Sequence, residues 1–300
     1  MTEPQSQVGG QAAARWEAAP VVAVAATISC WAFAFAGVRF TMQVFSPGHV
    51  ALLRLMVASL VLAGYAGAAR MPLPALRDWP VFLLFGLAGL ATSTLALSYG
   101  LETVGSAAGS FLVGTIPVFS SLLSRFFLHE RLAPLGWLGI AVSFAGVGLI
   151  GMGEGSGLQL NRGAGLLVLS AFVQSFFYVF QKPYHRRYSS GQITCYAVWG
   201  GTLWLMVFLP GLPAALAAAP GRYVAALVFL GIFPTALAFL MWSFALSRMK
   251  AAKVTSAIYV MPGLAILIAY VWLGEIPAAL TLLGGVTALA GVALLNFGGK

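Results

Sequence analysis

The chain has 300 residues, of which 60% are hydrophobic and 8% are charged, and its mean hydropathy is +0.94. A typical soluble domain has about 25% charged residues, so this composition excludes a soluble globular protein. It also excludes intrinsic disorder, which requires low hydrophobicity. Sixteen basic and seven acidic residues give a net charge of +9, which in a membrane protein indicates topology rather than a nucleic-acid surface.

A helix that crosses a bilayer needs about 20 mostly apolar residues, and the sequence divides into ten such segments. The predicted segments are residues 20–40, 49–69, 79–100, 104–124, 134–152, 163–182, 192–210, 222–246, 252–272 and 276–296. They leave an N-terminal tail, 1–19, and short connections. Because the first apolar run continues to Val38, longer than a signal-peptide core, we predict a retained first helix. The predicted fold is an all-α polytopic membrane protein.

The Lys and Arg residues between these segments are biased to one side of the membrane. Twelve of the sixteen fall on the side that holds both termini. Three, namely Arg39, Arg162 and Arg222, fall on the other side, and Arg54 lies inside a segment. Since cytoplasmic loops are enriched in Lys and Arg, both termini are predicted to be cytoplasmic.

The chain contains an internal repeat, because residues 98–149 match residues 243–294 at an offset of 145 without a gap. The matching pairs include Pro117 and Pro262, Glu130 and Glu275, Gly139 and Gly284, and Gly146 and Gly291. The two halves, 20–152 and 163–296, each hold five predicted helices. Five is an odd number, so the second half must cross the membrane inverted. Inverted repeats are frequent in secondary transporters, whose substrate site lies near the midplane between the halves.

These features resemble the EamA-type drug/metabolite transporter superfamily. The resemblance covers both halves and includes Trp31 in the first helix, Arg54 in the second, Pro117, the 130–132 Glu-Arg-Leu triplet and the 235–239 run. Within that superfamily, the bacterial aromatic amino acid exporters are the most similar group, because aromatic residues are numerous. The resemblance implies export by alternating access across the inner membrane, ten helices with cytoplasmic termini, and no prosthetic group.

Several polar side chains, among them Gln174, Ser93 and Thr94, are predicted near the middle of the membrane, where polar groups usually face the bundle interior or a water-filled cavity. The carboxamide of Gln174 has donors and an acceptor, enough to hold either end of an amino acid. An interhelical hydrogen bond is the alternative. Ser93 and Thr94 either line a cavity or bond back to their own helix.

Aromatic residues recur at corresponding depths of the first and sixth predicted helices. Trp31 and Phe35 share one helix face, and Phe177 and Tyr178 lie near Gln174. Aromatic walls with a few polar groups suit a small organic ligand, and aromatic faces also attract cations. Packing or lipid contact is the alternative. Further candidates for substrate binding are Tyr99, Trp199, Trp242 and Tyr259.

Three prolines fall inside predicted helices, where proline removes a hydrogen bond and bends the axis. Pro117 and Pro262 are related by the repeat, and Pro234 lies in the eighth segment. Broken helices at corresponding positions of two halves indicate a transport site or a hinge. We therefore predict gating or hinge roles, with a static kink as the alternative.

Few ionisable residues are predicted within the membrane. Arg54 lies one to two turns inside the outer face and Glu102 lies near the outer end of the third helix. Arg54 is expected to pair with Glu102, to attract a substrate carboxylate, or to extend outward to the membrane surface. No acidic residue is predicted at the midplane, which favours facilitated transport over proton coupling.

Enzyme, metal and cofactor sites are not expected. The sequence contains no HExxH, GxSxG or P-loop motif. Its histidines, His49, His129 and His185, fall at the ends of separate segments. The two cysteines, Cys30 and Cys195, are too few for a zinc site or a disulfide framework.

The sequence therefore predicts an inner-membrane exporter of small organic solutes, above all amino acids including aromatic ones. One alternative is another substrate on the same fold, such as organic cations, other drugs or a nucleotide sugar. A second is a non-transporting membrane assembly subunit. The expected partners are a small-molecule substrate and the lipid bilayer, with no nucleic acid, and the chain is expected to be a monomer.

Overall fold

The computed structural model describes residues 5–127, 129, 132–154, 161–249, 254 and 257–297, and these are almost entirely helical. The helices, in chain order, are α1 (Gln5–Thr41), α2 (Pro47–Ala68), α3 (Leu76–Gly100), α4 (Ser106–Phe127), α5 (Pro134–Gly153), α6 (Arg162–Arg186), α7 (Ser190–Phe208), α8 (Leu212–Ala218), α9 (Gly221–Ala245), α10 (Ala257–Leu273) and α11 (Ala279–Leu295). Glu130 and Arg131 of the predicted motif lie outside the described residues.

Seven of the described helices are long and apolar enough to cross a membrane: the Ala19–Thr41 part of α1, then α2 to α6, and α9. An eighth is added if α7 and α8, which meet at 85°, form one bent span. Two shorter apolar helices, α10 and α11, complete the described part of the chain. The predicted all-α polytopic membrane architecture is confirmed, whereas the number of ten spans stays a prediction.

The bend after α7 has a local cause. Pro210 cannot donate a backbone hydrogen bond, and Gly211 has a φ of 80°, a left-handed conformation that glycine adopts readily. The apolar sequence continues through this break, and for that reason the predicted segment 192–210 did not reveal the separate helix α8.

Two π-helical segments interrupt α3 and α9, at Phe85–Ala91 and Gly231–Leu237. Their starts are 146 residues apart, which is within one residue of the sequence repeat. Wide turns of this kind occur frequently at functional sites. The two halves therefore place the same irregularity at corresponding positions.

Glycines allow α5 and α11 to pack with their backbones in contact. A Cβ atom on Gly146 would lie 2.6 Å from the carbonyl oxygen of Gly284, and one on Gly291 would lie 2.5 Å from that of Gly139. Both distances are shorter than real Cβ contacts, so only glycine fits at these positions. These four glycines are the two pairs that the sequence repeat relates, and the close contact therefore joins equivalent helices of the two halves.

The predicted prolines occupy different local positions. Pro117 is the second residue of the Ile116–Phe127 part of α4, just after a helix break at Gly114. Pro262 stands at the start of the Met261–Leu273 part of α10. Pro234 lies inside the second π-helical segment. All three thus lie at helix irregularities, and their gating roles stay predictions.

Candidate functional site

A cavity of about 100 Å³ lies among helices from both halves of the chain. Its walls are contributed by α1, α2, α3 and α4 from the first half and by α6, α9 and α10 from the second. The predicted residues that line it are Trp31, Phe35, Arg54, Ser93, Thr94, Gln174, Tyr178 and Pro234. Residues far apart in sequence therefore meet at one site.

The other predicted aromatic residues do not line this cavity. Trp242 is one layer behind, with its ring centroid 5.0 Å from that of Trp31. Phe177 is buried against Phe85, at a centroid distance of 5.8 Å. Tyr99 is 38% exposed. These three side chains thus lie outside the cavity lining in this structure, and their roles in substrate binding stay predictions.

Trp199 and Tyr259 make contacts between helices instead. The indole of Trp199 donates to the carbonyl of Ser59 at 3.2 Å, which joins α7 to α2. The hydroxyl of Tyr259 lies 3.2 Å from the carbonyl oxygen of Val292, which joins α10 to α11. The polar atoms of Trp199 and Tyr259 thus make hydrogen bonds between helices.

The remaining predicted residues are not part of the described cavity lining. Glu102 is exposed in the turn that follows α3. Pro117 and Pro262 are buried near helix breaks but are not among the described residues that line the cavity. Of the three predicted hinge prolines, Pro234 alone contributes to the wall.

Trp31 connects α1 to the π-helical segment of α9. Its indole Nε1 donates to the carbonyl of Pro234 at 3.1 Å. Since Pro234 has no N–H, the carbonyl of Leu230 loses its usual helical donor, and the hydroxyl of Thr235 donates to that carbonyl at 2.8 Å. The ring of Trp31 also packs edge-on against Phe239 at 5.8 Å. The cavity wall is thus fixed by hydrogen bonds to irregular backbone.

Gln174 on α6 faces Ser93 on α3. The hydroxyl of Ser93 lies 2.9 Å from Oε1 of Gln174 and 2.5 Å from the carbonyl of Gly89. Tyr178 stands one turn further along α6 and interacts with Gln174, but the buried Nε2 atom of Gln174 makes no hydrogen bond of regular geometry to the described residues. Gln174 therefore contacts another helix through its oxygen and holds its donor nitrogen beside the cavity, and its role in substrate binding stays a prediction.

Arg54 is the one charged side chain among the described residues that line the cavity. It is only 6% exposed, and its Nε and Nη1 atoms are buried without hydrogen-bond partners. Burial of an unpaired charge is strongly unfavourable, and a guanidinium stays charged in proteins. Arg54 neither pairs with the exposed Glu102 nor extends to the surface, and its attraction of a substrate carboxylate stays a prediction.

A polar network closes one end of the helix bundle. Arg39 Nε lies 2.5 Å from Glu275 Oε1. Arg39 Nη1 donates to the carbonyls of Leu101 and Val104 at 2.8 and 2.7 Å. The other carboxylate oxygen of Glu275 accepts from the backbone nitrogen of Ser106 at 2.8 Å, where the positive end of the α4 dipole favours an anion.

A second ion pair lies at the opposite end of α3. The buried carboxylate of Asp78 accepts from the hydroxyl of Tyr188 at 2.6 Å and lies 3.1 Å from Nη2 of Arg187. Each ion pair therefore joins a residue of the first half to a residue of the second. Sequence reasoning missed both, because the two members of each pair are more than 100 positions apart.

Several apolar cavity residues were also missed. Leu55, Val113, Ile116, Ile258 and Met261 line the site together with aromatic and polar groups. In a chain that is 60% hydrophobic, no composition signal separates such residues from those that face lipid. Among the described residues, no group of three or more His, Cys, Asp or Glu is arranged to hold a metal ion.

Comparison with known proteins gives consistent matches over most of the chain. The EamA-like transporter family model matches twice, at residues 19–152 and 161–297. The uncharacterized transporter YdfC of Bacillus subtilis is 38% identical over 88% of this chain and 87% of its own length. A probable terminal-alkyne amino-acid exporter of Streptantibioticus cattleyicolor is 35% identical over 92% of this chain and 93% of its own. One solved crystal structure aligns with a TM-score of 0.64 at 20% identity, over 92% of this chain and 95% of that one, which shows a shared fold.

Proposed function

The chain belongs to the EamA-like transporter family, and from this premise we propose that it exports small organic solutes, above all amino acids including aromatic ones. It is a multi-pass membrane protein. We place it in the cell inner membrane with both termini in the cytoplasm, as the distribution of Lys and Arg indicates.

The observation that carries this proposal is the cavity between the two halves. Its walls combine the rings of Trp31, Phe35 and Tyr178 with the polar groups of Gln174 and Arg54. An apolar pocket with a few polar groups is the usual form of a small-molecule site. The relative at 35% identity, a probable terminal-alkyne amino-acid exporter, supports an amino acid as the solute.

The size of the cavity supports a small solute. Its volume of about 100 Å³ is comparable with the roughly 150 Å³ of an engineered apolar cavity that binds benzene. An aromatic or branched side chain matches this space, whereas a nucleotide sugar requires more room and more basic groups than Arg54 alone provides.

Transport would proceed by alternating access, with the two halves, 20–152 and 163–296, rocking around the cavity. The π-helical segments of α3 and α9 contribute to the cavity wall and offer the backbone irregularity that such movement uses. The lining residues that the structure describes include no Asp or Glu that could act as a carboxylate proton relay. We therefore propose that export is facilitated rather than proton-coupled. We also propose a monomer, because the cavity is formed between two halves of one chain.

An organic cation is the second candidate solute, because the faces of Trp31 and Tyr178 would attract a positive charge. The guanidinium of Arg54 lines the same cavity and would repel that charge. The arrangement therefore favours an amino acid over a cation, and transport of both classes is compared in the experiment that follows.

The test is uptake of labelled phenylalanine, tryptophan, threonine and an organic cation into liposomes containing the purified protein, with and without an imposed pH gradient. We expect saturable amino acid flux that is indifferent to pH and is lost in Trp31→Ala and Gln174→Ala proteins. Trp204→Ala, at an exposed tryptophan outside the cavity lining, is the control. Flux equal to that of empty liposomes for every amino acid would overturn the proposal, and cation flux alone would replace it with the second candidate.

A further inference from the structure

The unsatisfied polar atoms of the cavity lining are all hydrogen-bond donors. They are Nε and Nη1 of Arg54, which are buried without a hydrogen-bond partner among the described residues, and the buried Nε2 of Gln174, whose interaction with Tyr178 lacks regular hydrogen-bond geometry. Both side chains line the same cavity, one from α2 and one from α6. A ligand that satisfies them must therefore present acceptor atoms, and the charge of Arg54 favours an anionic acceptor.

The acceptors in the described cavity lining are uncharged. The carbonyl of Pro234 accepts from Trp31. Oε1 of Gln174 lies 2.9 Å from the hydroxyl of Ser93, which is also 2.5 Å from the carbonyl of Gly89. The hydroxyl of Thr235 is turned to a carbonyl of its own helix. No Asp or Glu occurs among the lining residues in the part of the chain that the structure describes. An ammonium group would thus find only uncharged partners, whereas a carboxylate would find a charged one.

We propose that the cavity recognises its substrate through a carboxylate, which Arg54 and Nε2 of Gln174 bind, and that it accepts apolar monocarboxylates with or without an amino group. This inference deepens the proposed function and rests on it for the identity of the site. A guanidinium presents its N–H groups as a planar fork that matches the two oxygens of a carboxylate. The aromatic and aliphatic walls then hold the remainder of the molecule.

Arg54 is distinguished from a structural arginine by what its removal should do. A structural ion pair loses stability when one partner is removed, because the other charge remains buried and unpaired. The buried Nε and Nη1 atoms of Arg54 have no such partner among the described residues. Replacement by the apolar Arg54→Met is therefore expected to leave the melting temperature unchanged or raised while carboxylate binding is lost.

The experiment measures binding to the purified protein separately from flux. Four compounds of similar size are compared by tryptophan fluorescence and by competition with phenylalanine uptake: phenylalanine, 3-phenylpropionate without the amine, 2-phenylethylamine without the carboxylate, and phenylalanine amide. We expect 3-phenylpropionate to bind about as well as phenylalanine, and the two compounds without a carboxylate to bind at least about tenfold more weakly.

Two variants and a control complete the test. Arg54→Met should abolish the preference for carboxylates, and Arg54→Lys, which keeps the charge but not the fork geometry, should retain part of it. Arg222→Met removes an exposed arginine that packs on Tyr223 and should leave the preference unchanged. If Arg54→Met does not fold, the Arg54→Lys protein and the four-compound series on the unaltered protein still decide the matter.

The outcomes separate this inference from the proposed function. Phenylalanine transport combined with equal binding of 2-phenylethylamine, or with no binding of 3-phenylpropionate, would overturn the carboxylate inference and leave the transporter of amino acids standing. Binding of 3-phenylpropionate that depends on Arg54, without transport of any amino acid, would overturn the proposed function and support the inference. Neither binding nor transport of any amino acid or of the four compounds would overturn both.

Discussion

Arg39 and Glu275 form an ion pair, 2.5 Å from Nε to Oε1, between residues 236 positions apart in the chain. The pair joins α1 to the turn after α10, and Glu275 also accepts from the backbone nitrogen of Ser106. One carboxylate thus holds the two halves together and completes the first turn of α4. Glu275 therefore stabilises contacts between three elements, because it bonds both to Arg39 of α1 and to the first turn of α4.

We expect Glu275→Gln to weaken this end of the bundle. The variant keeps the shape of the side chain but loses the charge that pairs with Arg39 and with the α4 dipole, an effect of about 1–3 kcal/mol. The melting temperature should fall, and hydrogen exchange should increase at residues 101–106. Glu102→Gln, at an exposed glutamate near this network, is the matched control, and equal behaviour of the two variants would contradict the prediction.

The backbone contact between α5 and α11 gives a second prediction. Gly146→Ala would place a methyl group 2.6 Å from the carbonyl oxygen of Gly284, so the helices must separate, at a typical cost of about 1–3 kcal/mol. Gly148→Ala, on the same helix, meets nothing within 4 Å. We expect a lower melting temperature for Gly146→Ala alone, and a similar loss in both variants would show that helix packing is not the cause.

The sequence predicted the positions of most helices, because long apolar runs bounded by charges and turns identify membrane spans. Counting inward along those runs also put Trp31, Ser93 and Gln174 at similar levels, and the structure brings all three to one cavity. The repeat at an offset of 145 marked the glycines that pack α5 against α11, although it did not say that these helices touch. The depth of a residue in the membrane and the internal repeat could therefore be predicted from the sequence alone.

The sequence did not predict which face of each helix points to the interior, because membrane helices are apolar on the face toward lipid as well as on the face toward the interior. Tyr99 and Trp242 were both predicted to bind substrate, yet one is exposed and the other lies behind Trp31. Similarly, Phe239 lines the cavity whereas Phe233 is exposed, and hydrophobicity alone does not distinguish the two, although Phe239 belongs to the 235–239 run of the family resemblance. Side-chain contacts between helices could not be predicted either, because they depend on which helix faces point toward each other.

Trp31→Phe tests the hydrogen bond that connects α1 to the π-helical segment of α9. The variant keeps an aromatic ring in the cavity but leaves the carbonyl of Pro234 without the donor at 3.1 Å, and an unsatisfied buried acceptor costs about 1–3 kcal/mol. We expect phenylalanine flux to fall at least about fivefold. Trp204→Phe removes a similar bond, to the carbonyl of Leu83 at an exposed position, and flux should be unaffected there.

Gln174→Glu tests whether the cavity is specialised for an anion. A carboxylate at this position would add a negative charge to the wall that holds Arg54, offer the guanidinium an internal partner, and repel the carboxylate of an incoming solute. Gln174→Met removes the Nε2 donor without adding charge and is the matched variant. We expect Gln174→Glu to weaken 3-phenylpropionate binding at least about tenfold more than Gln174→Met does, measured by tryptophan fluorescence on the purified proteins. Equal losses would mean that the amide contributes only its hydrogen bond, and that the charge in the cavity does not decide which solutes bind.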